Sequence, residues 1–276
     1  MIKIGFVTCV QLGLSCMEAI YEANGKLALA ITLNDDQARQ KSGRVYLDEF
    51  CKRKSIPLMK SSHINNKDVI DSIKEADLDW LFIIGWSQIA SKELLETPKN
   101  GTLGMHPTLL PCGRGRASIP WAILKGLDTT GVTLFKLDEG VDTGPIVDQI
   151  EIPLSASINA TELYDEVNKA HVSLIKKVIP SIENSSIVLH EQDNSLATIW
   201  PGRKPEDGKI NLNGSVEDAE KLVRALTSPY PGAFFYINEK KYIVNKAYIE
   251  RSTPKDFHLK FNDGFLVLAD YKIVEL

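Results

Sequence analysis

His106 and Asp142 are the two residues whose types and setting suit chemistry. His106 follows an apolar run and stands in a Pro/Gly-rich stretch, MHPTLLPCGRG, while Asp142 returns in a second loop bracketed by Gly140 and Gly144. A loop histidine whose other ring nitrogen faces a carboxylate is held in one tautomer and has its imidazolium form stabilised. A base that takes a proton from an attacking nucleophile requires both. Spacing alone does not single out the pair, because a loop histidine and a distant aspartate recur in many chains.

The elements that must position this pair can be read from apolar patterning. Ile2 to Val10 is a β-branched run, and Leu14 to Ala23 has helical spacing. Strand, turn and helix in that order open a doubly wound α/β fold. The intervening turn, CVQLG, lacks GxGxxG and so gives no dinucleotide site, although its backbone near Gly13 allows close approach of a ligand. Lys26 to Thr32 reads as a second strand, 34–44 as a polar mobile loop, Val45 to Lys54 as an amphipathic segment, and Ile56-Pro57-Leu58 as a short edge strand. Asp68 to Ala76 is helical, and the uninterrupted apolar run Leu81 to Ile84 reads as a buried parallel strand.

Ligands in open α/β sheets bind beyond the carboxyl ends of strands, where the loops at Gly85 and at His106 both fall. Pro107, Pro111 and Gly113 set the course of the second loop. Arg114 and Arg116 follow at once, and arginine suits bidentate phosphate contacts. Ser118 to Lys125 should be a helix, with Gly131 to Leu137 and Val147 to Ile152 as adjoining strands around the Asp142 loop. Thr161 to Lys177 is amphipathic, and Ser181 to Ser186 is loop-like. His171 and His190 lie outside every motif and read as a helix-surface and a strand-edge histidine.

From Ile199 the character changes to a turn-rich stretch, WPGRKPEDGKI, then a helix over Ser215 to Thr227 with Ser215 as N-cap, then short alternating strands. The expected division is 1–185 for a large Rossmann-like, mostly parallel α/β domain, 186–199 for a linker, and 200–276 for a small β-rich, OB-like domain. Length fits that scheme, since 276 residues with 43% hydrophobic content can bury a large core and a smaller one. A net charge of −4 supplies no global attraction to nucleic acid, which argues against a nucleic-acid substrate. Four cysteines without CxxC spacing argue against a disulfide framework or a thiolate zinc site, and a reducing cytoplasm is the expected location. No stretch is long and apolar enough to suggest a membrane span.

MHPTLLPCGRGRASIPWAI followed by GVTLFKLDEGVDTGPIV resembles the signature of the formyltransferases that use 10-formyltetrahydrofolate. RKPEDGKI with LVRALTSPYPGAFFYI resembles the segment after the catalytic domain in the methionyl-tRNA and aminoarabinose formylating enzymes. The resemblance implies 10-formyltetrahydrofolate as formyl donor and no metal. It assigns His106 and Asp142 to catalysis and places the pterin against Trp86, Ser87, Gln88, Ile89, Leu110 and Val141. Gly13, Arg114, Arg116, Arg203 and Lys204 are the expected acceptor contacts.

One position departs from the family pattern. Gly104 stands where an asparagine two residues before the histidine is usual, leaving only a backbone N–H as catalytic donor at that place. Losing such an amide removes about 3–4 kcal/mol of oxyanion stabilisation. His106 alone, a backbone N–H, Gln88 or a water are the alternatives for filling the gap. The expected activity is N-formylation of a nucleotide-linked deoxyamino sugar for surface glycans, by a chain that pairs as a homodimer. Methionyl-tRNA formylation is the alternative, and a non-catalytic folate- or nucleotide-binding relative is the third reading.

Overall fold

The computed structural model describes residues 2–38 and 44–275. Apolar runs become strands of one sheet: β1 (Ile4–Val7), β2 (Leu27–Leu33), β3 (Leu58–Ser61), β4 (Trp80–Ile83), β5 (Thr102–His106), β6 (Thr129–Lys136) and β7 (Ile146–Pro153). Their order across the sheet is β3-β2-β1-β4-β5-β6-β7. The pairs among β1 to β5 are parallel and β5 with β6 is antiparallel. β1 is buried along its whole length, as expected of a strand covered on both faces. The short strand expected at Ile56 begins two residues later and does form the sheet edge.

Helices α1 (Gln11–Glu22), α2 (Asp35–Ala38), α3 (Asp48–Lys54), α4 (Lys67–Glu75), α5 (Lys92–Glu96), α6 (Ser118–Leu124), α7 (Ala160–Glu183) and α8 (Val216–Ala225) complete the chain's main elements. The expected loop over 34–44 is helical where it begins, in α2, and its residues 39–43 lie outside the described residues. Val69, Ile70 and Ile73 of α4 pack against Leu29 and Ile31 of β2 and Leu81 of β4 in a continuous core. α7 runs past the expected end, so Ser181 to Glu183 are helical rather than loop-like. Pro180 forfeits one backbone hydrogen bond, yet Ile179 and Ile182 beside it are fully buried, and their packing holds the last turn in place.

The chain divides into two compact units. One comprises Met1–Arg114, Gly131–Ile152 and Val167–Ile199, and the other Gly115–Thr130, Pro153–Glu166 and Trp200–Leu276. The second unit thus takes in 115–130 and 153–166 as well as the stretch from Trp200 onward. The segment 186–199 is not a linker, however: His190 exchanges both backbone hydrogen bonds with Ile146 of β7, and Gln192 is buried in the first unit.

In the second unit, strands β8 (Ala233–Ile237), β9 (Lys240–Glu250), β10 (His258–Lys260) and β11 (Phe265–Glu275) form an antiparallel sheet in the order β8-β9-β11-β10. The apolar side of α8, Val216, Ala219 and Val223, packs with Phe235, Val244, Leu266 and Leu268 of that sheet. Ser215 caps α8 through a 3.0 Å bond accepted from the Asp218 N–H, as its position suggested.

Candidate active site

Two connections from opposite ends of neighbouring strands bring the reactive pair together. His106 is the last residue of β5, whereas β6 runs the other way, and Leu137 just after it donates its N–H to the Thr102 carbonyl at the start of β5. The loop 137–145 must therefore travel back along β5, roughly 13 Å at strand rise, to reach the histidine. It does so, and Asp142 Oδ2 lies 3.6 Å from His106 Nδ1. Gly144 allows the loop's return, because a Cβ there would sit 1.8 Å from the Lys136 carbonyl oxygen. Asp142 itself adopts φ 56°, a left-handed conformation that aspartate tolerates better than most non-glycine residues.

His106 is buried, 8% exposed as a residue, and its Nε2 lies 2.8 Å from the Gly113 carbonyl oxygen. A carbonyl only accepts, so Nε2 carries the hydrogen. The neutral ring then presents its Nδ1 lone pair toward Asp142, and a proton captured there is held beside a carboxylate. At 3.6 Å the two groups are an ion pair in reach rather than a formed hydrogen bond. The arrangement suits a base that takes one proton and stabilises it.

The loop after His106 is pinned from β6 and β7. Thr133 Oγ1 accepts from the Leu110 N–H at 3.0 Å and donates to the Thr108 carbonyl at 2.7 Å, and Gln149 Nε2 donates to both Thr133 Oγ1 and the Leu110 carbonyl. The Leu110–Pro111 peptide is cis. Thr133 and Gln149 were missed in the sequence, where both look like ordinary strand residues.

The structure redistributes several expected roles. Gly104 lies in the middle of β5, and a Cβ added there would stand 2.6 Å from Leu137 Cδ2, so an apolar side chain fills the space of any substituent. Gln88 is removed from the alternatives for an oxyanion donor, since its amide accepts from the Ile64 N–H and donates to the Ser62 carbonyl. That bracing shapes the loop after β4. On it Trp86 is half-buried against the core with an indole Nε1 that meets no acceptor among the described residues, while Ile89 is 85% exposed. Ser87 shares this loop and Val141 is exposed next to Asp142.

Leu110 is buried among the core residues. Gly13 is buried in α1, and a Cβ there would strike Thr8 Oγ1 at 1.9 Å, so close packing on Thr8 requires glycine at this position. Arg114 is buried and donates through Nε and Nη2 to Gln192 Oε1 and through Nη2 to Asn194 Oδ1, so those two nitrogens are engaged within the first unit. His171 is no surface histidine: it is buried, with Nδ1 2.7 Å from the Val167 carbonyl oxygen, and burial together with nearby His106 pushes its pKa down to about 4. His190 is at a strand edge, as expected.

Arg116, Arg203 and Lys204 fall in the second unit. Arg116 is exposed, and its side-chain Cδ would lie 3.6 Å from a Cβ at Gly202. Arg203 stacks its guanidinium 5.0 Å from the Trp121 ring centroid and donates to the Asp207 carbonyl, and burial lowers its pKa. Lys204 is exposed.

Elsewhere in the first unit a cleft of about 360 Å³ opens between α5 and the start of the Asp142 loop, lined by Leu95, Pro98, Lys136 and Leu137 among others. All four cysteines are free thiols. Among the described residues no helix is long and apolar enough to cross a membrane.

Comparison with known proteins places the chain in a family. Residues 15–179 match the formyl transferase model and residues 203–270 the formyl transferase C-terminal domain model. The chain is 32% identical over 253 residues to the bifunctional polymyxin resistance protein ArnA of Wigglesworthia glossinidia brevipalpis. That alignment covers 92% of this chain and 38% of ArnA, so the chain spans well under half of that relative. It is 30% identical over 250 residues to methionyl-tRNA formyltransferase of Ruminiclostridium cellulolyticum, covering 90% of this chain and 80% of the relative.

The fold also matches, at TM-score 0.67 and 20% identity, the N-formyltransferase from Helicobacter canadensis solved with folinic acid and dTDP-3-aminofucose. This match covers 100% of this chain and 99% of that one. With matched models over both segments and the histidine–aspartate pair inside the first, the chain belongs to the formyl transferase family.

Proposed function

We propose that this chain moves a formyl group from 10-formyltetrahydrofolate to the amino group of a nucleotide-linked deoxyamino sugar. The observation that carries the proposal is the approach of His106 Nδ1 to Asp142 across two loops of a formyl transferase domain. The acceptor amine attacks the formyl carbon, a C–N bond forms, and the bond to N10 of the folate breaks as tetrahydrofolate leaves. His106 takes the amine proton at Nδ1 and Asp142 holds the resulting charge, after which the proton passes to the departing N10. Trp86, Ser87, Ile89 and Val141 are the proposed folate contacts. Arg116, Arg203 and Lys204 are the proposed contacts to the acceptor's phosphates.

Two observations support a sugar acceptor: the net charge of −4, and a fold neighbour of the same length that was solved with a dTDP-amino sugar. The second reading is methionyl-tRNA formylation, favoured by the 30% identity that spans 80% of a methionyl-tRNA formyltransferase. A formylation assay with 10-formyltetrahydrofolate tests both, using a panel of UDP-, dTDP- and GDP-linked amino sugars beside initiator tRNA. A product heavier by one formyl group on one sugar nucleotide supports the first reading. Formylation of the tRNA alone, falling steeply with added salt, replaces it with the second.

A further inference from the structure

We propose that Gln192 is a positioning residue that clamps the Asp142 loop opposite His106. Its side chain is buried and each end is fully specified. Nε2 donates to the Asp142 carbonyl at 2.9 Å and to the Gly144 carbonyl at 2.7 Å, while Oε1 accepts from Arg114 Nε at 3.1 Å and from Arg114 Nη2 at 2.7 Å. The amide can sit only one way round, since both carbonyls accept and guanidinium only donates. Arg114 is fixed in turn by Asn194 Oδ1 at 2.8 Å, and it directly follows Gly113, whose carbonyl receives His106 Nε2. A single chain of hydrogen bonds thus runs from the backbone flanking Asp142, through Gln192, to the loop that aims the histidine.

Such a clamp has work to do at this place. Asp142 holds φ 56°, a left-handed conformation that aspartate tolerates better than most residues but glycine holds most freely, and hydrogen bonds to the backbone on both sides help to keep it there. Gln192 grips that residue's own carbonyl and that of Gly144 two residues on. Released, the loop can relax away from β5, and the carboxylate that sits 3.6 Å from His106 goes with it. Displacements of about 1 Å at reacting groups lower rates by as much as about a hundredfold. Gln192 touches neither reacting group through its side chain, so its influence passes through the placement of Asp142.

The catalytic half of this inference rests on the formyl-transfer reading, and the clamp itself does not. Gln192→Met keeps the volume and removes both donors. Amide hydrogen exchange over 138–144 is expected to quicken about tenfold in Q192M, with α4 and the first four strands unchanged. In an Asp142→Gly background the same change is expected to matter less, because glycine holds φ near 56° unaided. Arg114→Lys, which loosens Gln192 without emptying its site, should shift the loop in the same direction by less and serves if Q192M does not fold.

With the acceptor selected by the panel above, Q192M should lower kcat about tenfold at nearly constant KM, and should change little in an Asp142→Asn background. Unchanged loop exchange in Q192M overturns the clamp. A loosened loop with unaltered kcat, or an equal loss of kcat in the D142N background, overturns the positioning role. If the panel yields no acceptor, or His106→Asn keeps full activity, the formyl-transfer reading fails while the exchange measurements still decide the clamp.

Discussion

At the scale of single residues, the proposed reaction turns on one lone pair. Gly113 fixes the hydrogen on His106 Nε2, which leaves Nδ1 as the proton acceptor beside Asp142. Replacing His106 by Asn removes that acceptor, and replacing Asp142 by Asn removes its charge partner. Each is expected to lower kcat by about 10²–10⁴-fold with little effect on melting temperature, measured by initial rates and thermal scans.

Gly104 offers a second test at this scale. Asparagine there cannot enter without displacing Leu137, whose Cδ2 stands 2.6 Å from the Cβ position, and overpacking of this kind destabilises by about 1–3 kcal/mol. Gly104→Asn alone is therefore expected to lower both melting temperature and kcat. The double variant Gly104→Asn, Leu137→Ala should recover stability and, by restoring an amide near the formyl oxygen, match or exceed the parent's kcat.

At the scale of elements, the site is made by the loop 137–145 retracing β5. Its tightest point is Gly144 against the Lys136 carbonyl oxygen, where even a methyl group has no room. Gly144→Ala is expected to push the loop outward, lowering kcat more than tenfold by the misplacement argument already applied to Asp142 and raising the loop's amide exchange. A loss of activity without faster exchange would contradict this.

Helix α7 contributes through His171, kept neutral in the folded chain. Its folded pKa of about 4 lies below the ordinary 6.5, chiefly through burial and also through His106, while the bond to the Val167 carbonyl works in the opposite direction. The unfolded chain therefore binds a proton that the folded one refuses as pH falls below 6.5. The stabilisation is complete above pH 6.5 and is lost between 6.5 and 4, by about 3 kcal/mol in all. Urea unfolding at pH 7 and at pH 4.5 should show that loss in the parent and a smaller one in His171→Gln.

At the scale of the whole molecule, the net charge of −4 bears on the acceptor. Turnover of a sugar nucleotide, which has few phosphates, should change less than about threefold between 50 and 200 mM salt, whereas tRNA binding across many phosphates should weaken by orders of magnitude. Initial rates on the two acceptor classes across that salt range separate the readings.

Much of this was open to a reader of the sequence alone. The apolar runs at Ile4, Leu27 and Leu81 read as strands, the last as one buried in a parallel sheet, and Ser215 before an amphipathic stretch reads as the cap of α8. Glycines and prolines frame both His106 and Asp142, but it is the resemblance of the surrounding motifs to the formyltransferase signature that singles the pair out. These are local properties, set by backbone freedom and by the period of apolar side chains, and they survive without knowledge of what lies across the fold. What the sequence could not determine depends on distant partners. Nothing local distinguishes Arg114, buried against Gln192, from the exposed Arg116 two residues on, or marks Gln192 itself inside a polar stretch that resembles a linker. Only tertiary structure decides such roles, because a buried polar side chain is defined by the groups that satisfy it, and those come from elements that meet only when the chain has folded.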